Sequence, residues 1–496
     1  MTAITQKNKS EFLTKGGASF HIATLKKEPE WFLEKFNFNF EMFSDDLYEF
    51  KAALLARGEK LFVIQQYLNR KGKGVELLVN KEMGNKREFL RSVLREFQLE
   101  EKDISWKHAS AGGILVREFM EQVKLDLEND HSLMQILTGP RQVGKTTGAD
   151  YIIEGWKGKT VFASADGIEA KSTNWITRLW AEASQNENTL LVIDEIQKVD
   201  GWDETIKMLW DKQKTDPKVR LLLLGSNSLS MNKNIKESLA GRYFQTYVPH
   251  WSFEEYKTAF ETSLDDYLLF GGYPGAAKFI GDYERWYNYL SESIIKPVVT
   301  IDIPSFANRE SSMILRFLEI LGRHLGKVTS YRKLADEFPK GTNSKVVSDY
   351  LELFEGVFFC KRINKFSEKN LKRSSSPQLL PLFTSFLSYF NKQDDFKNKE
   401  EVEAYLKVAI GQRLFESKIG ELSYWKEGRN EVDFVYKVKG NIFGIQVSDD
   451  IDSIKKDRSS EKFRKEFKQS RVITLGKELF QNFSRNPESF LERFAT

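Results

Sequence analysis

The chain has 496 residues, with 75 Lys and Arg against 71 Asp and Glu, which gives a net charge of +4 at pH 7. This balance does not by itself indicate a nucleic-acid-binding protein, and the 13% aromatic content argues against a disordered chain. The single cysteine, Cys360, excludes an internal disulfide, and its apolar neighbours favour buried packing over a nucleophile. Because the sequence has no run of 18 apolar residues and no signal-peptide core, we expect a cytoplasmic protein without membrane contact.

Residues 1–110 carry no chemical motif. Their hydrophobic pattern predicts a small α+β domain with strands at 19–25 and 74–80 and helices at 46–68 and 86–97. The hypothesis for this domain is that it binds protein partners.

Residues 139–147 fit the G-x-x-x-x-G-K-[ST] pattern of a phosphate-binding loop, between a predicted strand at 132–137 and a predicted helix at 147–156. Glycine lets the backbone N–H groups of such a loop turn toward phosphates. Lys145 would reach the β- and γ-phosphates of ATP, and the Thr146 hydroxyl would hold Mg²⁺. The residues predicted to bind the nucleotide here are Gly139, Arg141, Gln142, Val143, Gly144, Lys145, Thr146 and Thr147.

Three apolar runs, at 160–165, 189–193 and 219–224, are typical of buried parallel strands, and helices are predicted between them. Asp194 and Glu195 follow the second run, at the sheet edge where ligands of α/β proteins bind. We therefore predict that Asp194 holds Mg²⁺ and that Glu195 acts as the general base for an attacking water.

Two further predictions in this region have structural alternatives. Ser226 and Asn227 follow the third run and would lie beside the γ-phosphate, or would only cap the turn. Arg242 would stabilise the transferred phosphoryl group, in cis or across a subunit interface, or would form a structural ion pair.

Four segments occur in order and at domain-like spacing: GPRQVGKTT (139–147), LLVIDEIQKVDGW (190–202), LLLLGSNSL (221–229) and ESLAGRYF (237–244). Together they resemble the AAA+-superfamily ATPases of the archaeal-type, DUF4143-containing family. GGYPGA and the segment 294–303 resemble the helical region that follows the ATPase core in that family. The likeness spans about 114–476 and implies an additional-strand ATPase core, a winged-helix domain and a C-terminal domain related to restriction-endonuclease-like nucleases.

The predicted fold is an α/β multidomain chain with a P-loop AAA+-type parallel sheet, winged-helix and nuclease-like α/β C-terminal domains, and a small α+β N-terminal domain. The predicted divisions are an N-terminal domain (1–110), a P-loop core (111–255), a helical region (256–308), a winged-helix domain (309–395) and a degenerate nuclease-like domain (396–496).

The winged-helix prediction also follows from the residues. Helical patterns at 311–325, 331–338 and 344–354 precede an apolar strand at 358–363, which is the order of a helix-turn-helix with a wing. A basic cluster follows, and it would contact phosphates of double-stranded DNA or form a solvated hairpin on a protein-docking module. Its members are Lys361, Arg362, Lys365, Lys369, Lys372 and Arg373.

The C-terminal pattern predicts a helix and three strands, at 401–418, 421–425, 431–438 and 442–447. In the nuclease fold, this layout places one acid on the helix, one on the second strand and Glu-x-Lys on the third, for metal-assisted cleavage. Glu416 and Asp433 match, but Gln446 and Ser448 replace the last pair. We therefore expect no cleavage unless Lys426 supplies the missing cation.

The predicted function is an ATP-binding and ATP-hydrolysing AAA+-type protein, a nucleotide-controlled switch that acts on DNA or a partner protein. Its alternatives are an ATP-regulated DNA nuclease and a signalling scaffold that holds ATP with little turnover. The sequence leaves the oligomeric state open.

Overall fold

In a computed structural model of the chain, two compact units are present, Met1–Ile114 and Leu115–Thr496, and each is described by itself. The described residues are 48–56, 60–69, 72–79, 104–108, 115–130, 132–166, 172–213, 217–226, 238–307, 309–367, 376–448 and 458–494. Within these ranges, no helix has both the length and the apolar character needed to cross a membrane.

The first unit contains a four-stranded sheet in the order β1-β2-β3-β4. The strands are β1 (Tyr48–Ala56), β2 (Lys60–Asn69), β3 (Gly72–Val79) and β4 (Ile104–His108). The strand predicted at 74–80 is confirmed as β3, whereas the predictions for 19–25 and 86–97 lie outside the described residues.

The helix predicted at 46–68 is wrong, because that stretch forms the antiparallel pair β1 and β2, with Tyr48 opposite Leu68. Aromatic and β-branched residues such as Phe62, Val63 and Ile64 favour an extended backbone. Gly58 also interrupts the stretch, and glycine disfavours a helix interior. The apolar spacing alone did not distinguish the two structures.

The second unit begins with a parallel sheet in the order β6-β7-β8-β5-β9. Its strands are β5 (Met134–Thr138), β6 (Thr160–Ser164), β7 (Thr189–Asp194), β8 (Val219–Gly225) and β9 (Tyr243–Tyr247). Its helices are α1 (Glu118–Asn129), α2 (Lys145–Glu154), α3 (Thr173–Ala183) and α4 (Trp202–Lys212). Every residue of β5, β7 and β8 is buried, as predicted for strands covered on both faces. Strand β8 lies between β5 and β7, so the sheet has the additional strand that the resemblance implies.

A helical region, residues 253–307, follows the sheet. It contains α5 (Phe253–Phe260), α6 (Leu264–Phe270), a 3₁₀ segment (Pro274–Phe279), α7 (Tyr283–Tyr289), two π-helical segments (Leu290–Ile295 and Val298–Asp302) and α8 (Ile303–Phe306). Pro297 lies between the two π-helical segments.

Three helices follow, close to the bounds predicted for the helix-turn-helix: α9 (Ser311–His324), α10 (Tyr331–Asp336) and α11 (Ser344–Gly356). The remaining helices are α12 (Ser385–Asn391), α13 (Lys399–Ser417), α14 (Arg458–Glu466), α15 (Lys477–Arg485) and α16 (Pro487–Glu492). The strands are β10 (Cys360–Lys365), β11 (Gln378–Pro381), β12 (Glu421–Glu427), β13 (Asn430–Val438), β14 (Asn441–Val447) and β15 (Ser470–Leu475). Cys360 is a free thiol and fully buried, as expected.

These six strands form one mixed sheet in the order β11-β10-β12-β13-β14-β15. Strand β10 pairs antiparallel with β11 and parallel with β12, so strands predicted for two domains share one sheet. One continuous apolar core runs from Phe119 in α1 to Leu491 in α16. A second cluster fills the other face of the parallel sheet.

Candidate nucleotide-binding site

The loop between β5 and α2 has the geometry that the glycines predict. Gly144, just before α2, has a φ of 100°, and Gln142 has a φ of 58°, so the chain turns through left-handed backbone twice. A Cβ on Gly139 would lie 2.2 Å from the carbonyl oxygen of Val248, so only glycine fits there. The loop therefore turns sharply into the amino-terminal end of α2, which contains Lys145, Thr146 and Thr147.

Lys145 is buried, with 6% of its surface exposed, and its ammonium lies inside the loop. Its Nζ donates hydrogen bonds to the carbonyl oxygens of Gly139, at 2.8 Å, and Pro140, at 2.6 Å. Burial lowers the pKa of this ammonium to about 8, although the charges of Glu195 and Asp194 act in the opposite direction. The loop thus holds a partly desolvated cation where an anion would bind.

Thr146 and Asp194 come together at the carboxyl edge of the sheet. The Thr146 hydroxyl donates to Oδ2 of Asp194 at 3.0 Å. Burial, and then the neighbouring charge of Glu195, raise the pKa of the Asp194 carboxyl. Hydroxyl and carboxylate oxygens are the ligands that Mg²⁺ prefers, so this pair fits a magnesium ion.

Glu195 adopts a left-handed backbone conformation, with a φ of 54°, directly after β7. Its Oε2 accepts hydrogen bonds from the Ser226 hydroxyl at 3.1 Å and from Nε2 of Gln197. Gln197 also donates to the Ser226 hydroxyl at 3.1 Å. Ser226 follows β8 at the same edge of the sheet and contacts Glu195, and its predicted place beside the γ-phosphate stays a prediction. Asn227 lies outside the described residues.

Arg117 and Trp251 hold the backbone of the loop through hydrogen bonds, and sequence reasoning missed both residues. The Val143 carbonyl accepts from Nη1 of Arg117 at 3.1 Å and from Nε1 of Trp251 at 2.9 Å. Arg117 is 3% exposed and makes a two-point ion pair with Glu255, at 2.5 and 3.2 Å. No local pattern identifies these residues, because each contact joins distant parts of the chain.

Two loop side chains point to the helical region. Arg141 makes a two-point ion pair with Asp302. The amide of Gln142 accepts from the Tyr289 hydroxyl and donates to the Ser293 carbonyl oxygen at 3.3 Å. Both residues were predicted to contact the nucleotide, and in this structure they join the loop to residues 289–302.

Arg242 does not lie beside the loop. Its guanidinium makes a two-point ion pair with Asp211, with both distances 2.9 Å, and its backbone oxygen accepts from the Met134 N–H. Met134 begins β5 and the loop follows the other end, so about 16 Å of strand separates them at 3.3 Å per residue. Arg242 cannot reach a phosphate bound in the loop of its own chain. Its ion pair with Asp211 is the structural alternative, and of the two catalytic roles only the one across a subunit interface remains a prediction.

The predicted nuclease residues do not assemble as expected. The Lys407 ammonium lies 2.5 Å from Oδ1 of Asp433 and 3.4 Å from Oε1 of Glu431. Ser448 donates to Glu403 at 3.0 Å, and Gln446 accepts from the Asp433 N–H at 3.1 Å. The helix acid near the strand residues is thus Glu403, and a lysine occupies the space between the other carboxylates. Among the described residues, no group of three or more His, Cys, Asp or Glu has a metal-binding arrangement.

Glu416 is the wrong helix acid, because it lies about 20 Å farther along α13 than Glu403 at 1.5 Å per residue. It is buried and accepts a hydrogen bond from Gln412 at 2.9 Å. Burial raises its pKa to about 7. Lys426 does not replace the missing lysine, since it pairs with Glu431 and not with Asp433.

The basic cluster is partly neutralised where the structure describes it. Nε and Nη2 of Arg362 both donate to Oε2 of Glu355, at 3.1 and 2.6 Å, and Lys361 lies 3.5 Å from the same carboxylate. The other members in the cluster, apart from Lys365, lie outside the described residues; they are Lys369, Lys372 and Arg373.

Comparison with known families places two matches on the chain. Residues 131–257 match a family described as an AAA domain, and residues 261–394 match a domain of unknown function, DUF8612. The core is therefore a P-loop domain of the AAA type. The family matched by residues 261–394 is DUF8612, whereas the sequence resemblance named DUF4143.

Relatives extend over much of the chain. An uncharacterized protein of Methanocaldococcus jannaschii, MJ1544, is 23% identical over 443 residues, which cover 80% of this chain and 95% of the relative. An uncharacterized protein of Haemophilus influenzae is 22% identical over 284 residues, covering 54% and 68%. Among solved structures, the Thermotoga maritima RuvB Holliday junction branch migration motor is 18% identical, with a TM-score of 0.28, and the match covers 50% of this chain and 89% of that chain. A TM-score of this size carries no inference about function.

Proposed function

We propose that the AAA-type domain binds ATP with Mg²⁺ on the 139–147 loop and hydrolyses ATP, and that the nucleotide state controls the helical region and the C-terminal sheet. The observation that carries this proposal is the pair formed by Thr146 and Asp194, 3.0 Å apart and next to Glu195. Bound to that pair, Mg²⁺ would neutralise phosphate charge. The finer resemblance, to archaeal-type, DUF4143-containing ATPases, stays a prediction.

Each charged residue has a distinct task in this proposal. The Lys145 ammonium exchanges the Gly139 and Pro140 carbonyls for phosphate oxygens, which are stronger acceptors because they are charged. Ser226 and Gln197 hold Oε2 of Glu195, so Oε1 is the oxygen that would take a proton from an attacking water.

The test is steady-state ATP hydrolysis by the full chain and by Glu195→Gln. We expect the variant to keep its ATP affinity and to lose at least ~100-fold in turnover, the usual size of a general-base contribution. Glu204→Gln, an exposed acid on α4, is the matched control and should hydrolyse ATP at the wild-type rate. Equal turnover in Glu195→Gln and wild type would remove the assigned role and favour the scaffold that holds ATP.

For the partner, we propose a winged-helix module at 309–395 that binds protein rather than double-stranded DNA. The support is the charge of α11, its second helix-turn-helix helix, which carries Lys345 against Asp349 and Glu352, besides Glu355, which already pairs with Arg362. Carboxylates on a helix that faces DNA would repel its phosphates. ATP hydrolysis measured at low salt should therefore be unchanged by double-stranded DNA, whereas salt-sensitive stimulation would restore the DNA hypothesis.

Arg242 enters the proposal only as a residue that acts on a neighbouring copy of the chain. The predicted role requires an oligomer and release from Asp211. ATP turnover per subunit should then rise with protein concentration in wild type, and Arg242→Ala should abolish that rise. Turnover that is independent of concentration in a monomer would contradict this role.

A further inference from the structure

Asp302 lies at the nucleotide site although no motif assigns it there. It ends the second π-helical segment, and its carboxylate makes a two-point ion pair with Arg141 of the phosphate-binding loop. The Asp302 side chain is 12% exposed and that of Arg141 is 27% exposed, so the pair is partly removed from water. π-Helical turns are rare and are frequent at functional sites.

The charge of Asp302 acts on the same groups that would meet the phosphates. The charge of Arg141 lowers the pKa of Lys145, and the charge of Asp302 raises it. Burial raises the pKa of Asp302 itself, the pair with Arg141 opposes that rise, and the charge of Glu195 adds to it. Three acids, Asp194, Glu195 and Asp302, thus surround the loop, and Asp302 alone comes from the helical region.

The ion pair is reinforced by the next loop residue. Gln142 bonds to Tyr289 and Ser293, at the end of α7 and in the first π-helical segment. Arg141 and Gln142 therefore fasten the loop to both ends of residues 289–302. A ligand that draws Arg141 away from Asp302 would loosen one of these two attachments.

We propose that Asp302 is a specificity-determining residue of the nucleotide site, which holds Arg141 and gives it up to the terminal phosphate of a nucleoside triphosphate but not to a diphosphate. This inference rests on the proposed function of the loop. A guanidinium binds phosphate with the same two-point geometry as carboxylate, and a triphosphate offers one more charged group than a diphosphate. Only the binding free energy of the triphosphate then includes the cost of breaking the ion pair between Arg141 and Asp302.

The experiment measures ATP and ADP dissociation constants, with Mg²⁺, for the full chain and for Asp302→Asn. We expect Asp302→Asn to bind ATP about tenfold more tightly and ADP within about twofold of wild type, a coupling of ordinary size. Arg141→Met should weaken ATP binding and leave ADP binding nearly unchanged. In the Arg141→Met background, adding Asp302→Asn should change the ATP constant much less than in wild type.

Glu292→Gln is the matched control, because Glu292 lies in the first π-helical segment of the same helical region but pairs with Lys296 instead of the loop. Asp302→Ser is a second variant if the amide fails to fold. Wild-type ATP binding combined with unchanged ATP affinity in both Asp302 variants would overturn the inference, as would an equal gain for ADP. If wild type binds neither nucleotide, the proposed function itself fails.

Discussion

The Lys145 ammonium is bonded to the Gly139 carbonyl oxygen, 2.8 Å away within the same loop. The loop thus supplies a neutral acceptor to a cation that is otherwise cut off from water. A neutral carbonyl compensates a buried charge less than an anion does, which is why the pKa of Lys145 falls to about 8. Without nucleotide, Lys145 therefore loses its charge as the pH rises through about 8.

ATP affinity should fall as the pH rises through 8. A bound polyphosphate favours charged Lys145, so binding takes up a proton above that pH, and affinity drops about tenfold between pH 7 and 9. Binding calorimetry in buffers of different ionisation enthalpy checks the uptake. Lys145→Arg is the control, because arginine stays charged over this range. If it binds ATP, its affinity should be flat with pH, and a parallel fall in both proteins would contradict the assignment.

Arg117→Met should destabilise the chain and weaken ATP binding together. The change leaves Glu255 without its ion-pair partner and removes a donor from the Val143 carbonyl. Breaking such a pair from one side costs about 3 kcal/mol. Urea unfolding and ATP titration measure the two effects. Arg117→Met with Glu255→Gln removes the orphaned charge and should recover part of the stability but not the affinity. Recovery of both would mean that Arg117 does not position the loop.

Glu416 should make the chain less stable as the pH rises from about 4.5 to 7. In this window the unfolded carboxyl loses its proton, whereas the folded one keeps it because its pKa is about 7. The unfolded state therefore binds fewer protons, and the free energy of unfolding declines by up to about 3 kcal/mol. Thermal midpoints at pH 5 and pH 8 measure the decline. Glu416→Gln should reduce it, and Glu421→Gln, an exposed acid, should not. Identical pH profiles in all three proteins would contradict the prediction.

The group formed by Lys407, Asp433 and Glu431 should not cleave DNA. Lys407 supplies the positive charge that a metal would bring to the two carboxylates. These two charges hold the pKa of Lys407 above its usual value, although burial acts in the opposite direction. Lys407→Met should lower the thermal midpoint, and Mn²⁺ should restore part of it while leaving wild type unchanged. Incubation of plasmid with Mg²⁺ or Mn²⁺ is the second measurement. Cleavage that disappears in Asp433→Ala would establish the nuclease alternative.

The sequence was sufficient for the parallel sheet and the loop, because both depend on local patterns. Fully apolar runs identify buried strands, and the glycines, Lys145 and Thr146 must be adjacent for the loop to form. Asp194 followed from strand ends meeting at one edge. The error at 46–68 arose where hydrophobic spacing fitted a helix and the choice depended on β-branched residues and a turn.

Local sequence patterns could not predict the residues that contact the loop from distant parts of the chain. Arg117, Trp251 and Asp302 reach the loop from outside its motif, and nothing near them in the sequence marks a phosphate site. The mistaken choice of Glu416 has a related cause. The helix pattern gives the apolar stripe of α13, but it does not say which turn of the helix meets the third strand residue.

The shared six-stranded sheet limits how the chain transmits motion. Because β10 is bonded to β11 on one side and to β12 on the other, the helix-turn-helix helices and the C-terminal strands cannot swing independently. Phe366, which follows β10, also packs on Phe463 of α14 and on Phe467, which follows α14. We therefore expect a conformational change that starts in the AAA-type domain to move the helix-turn-helix helices and the C-terminal strands together, so that a partner bound to one of them would affect the other.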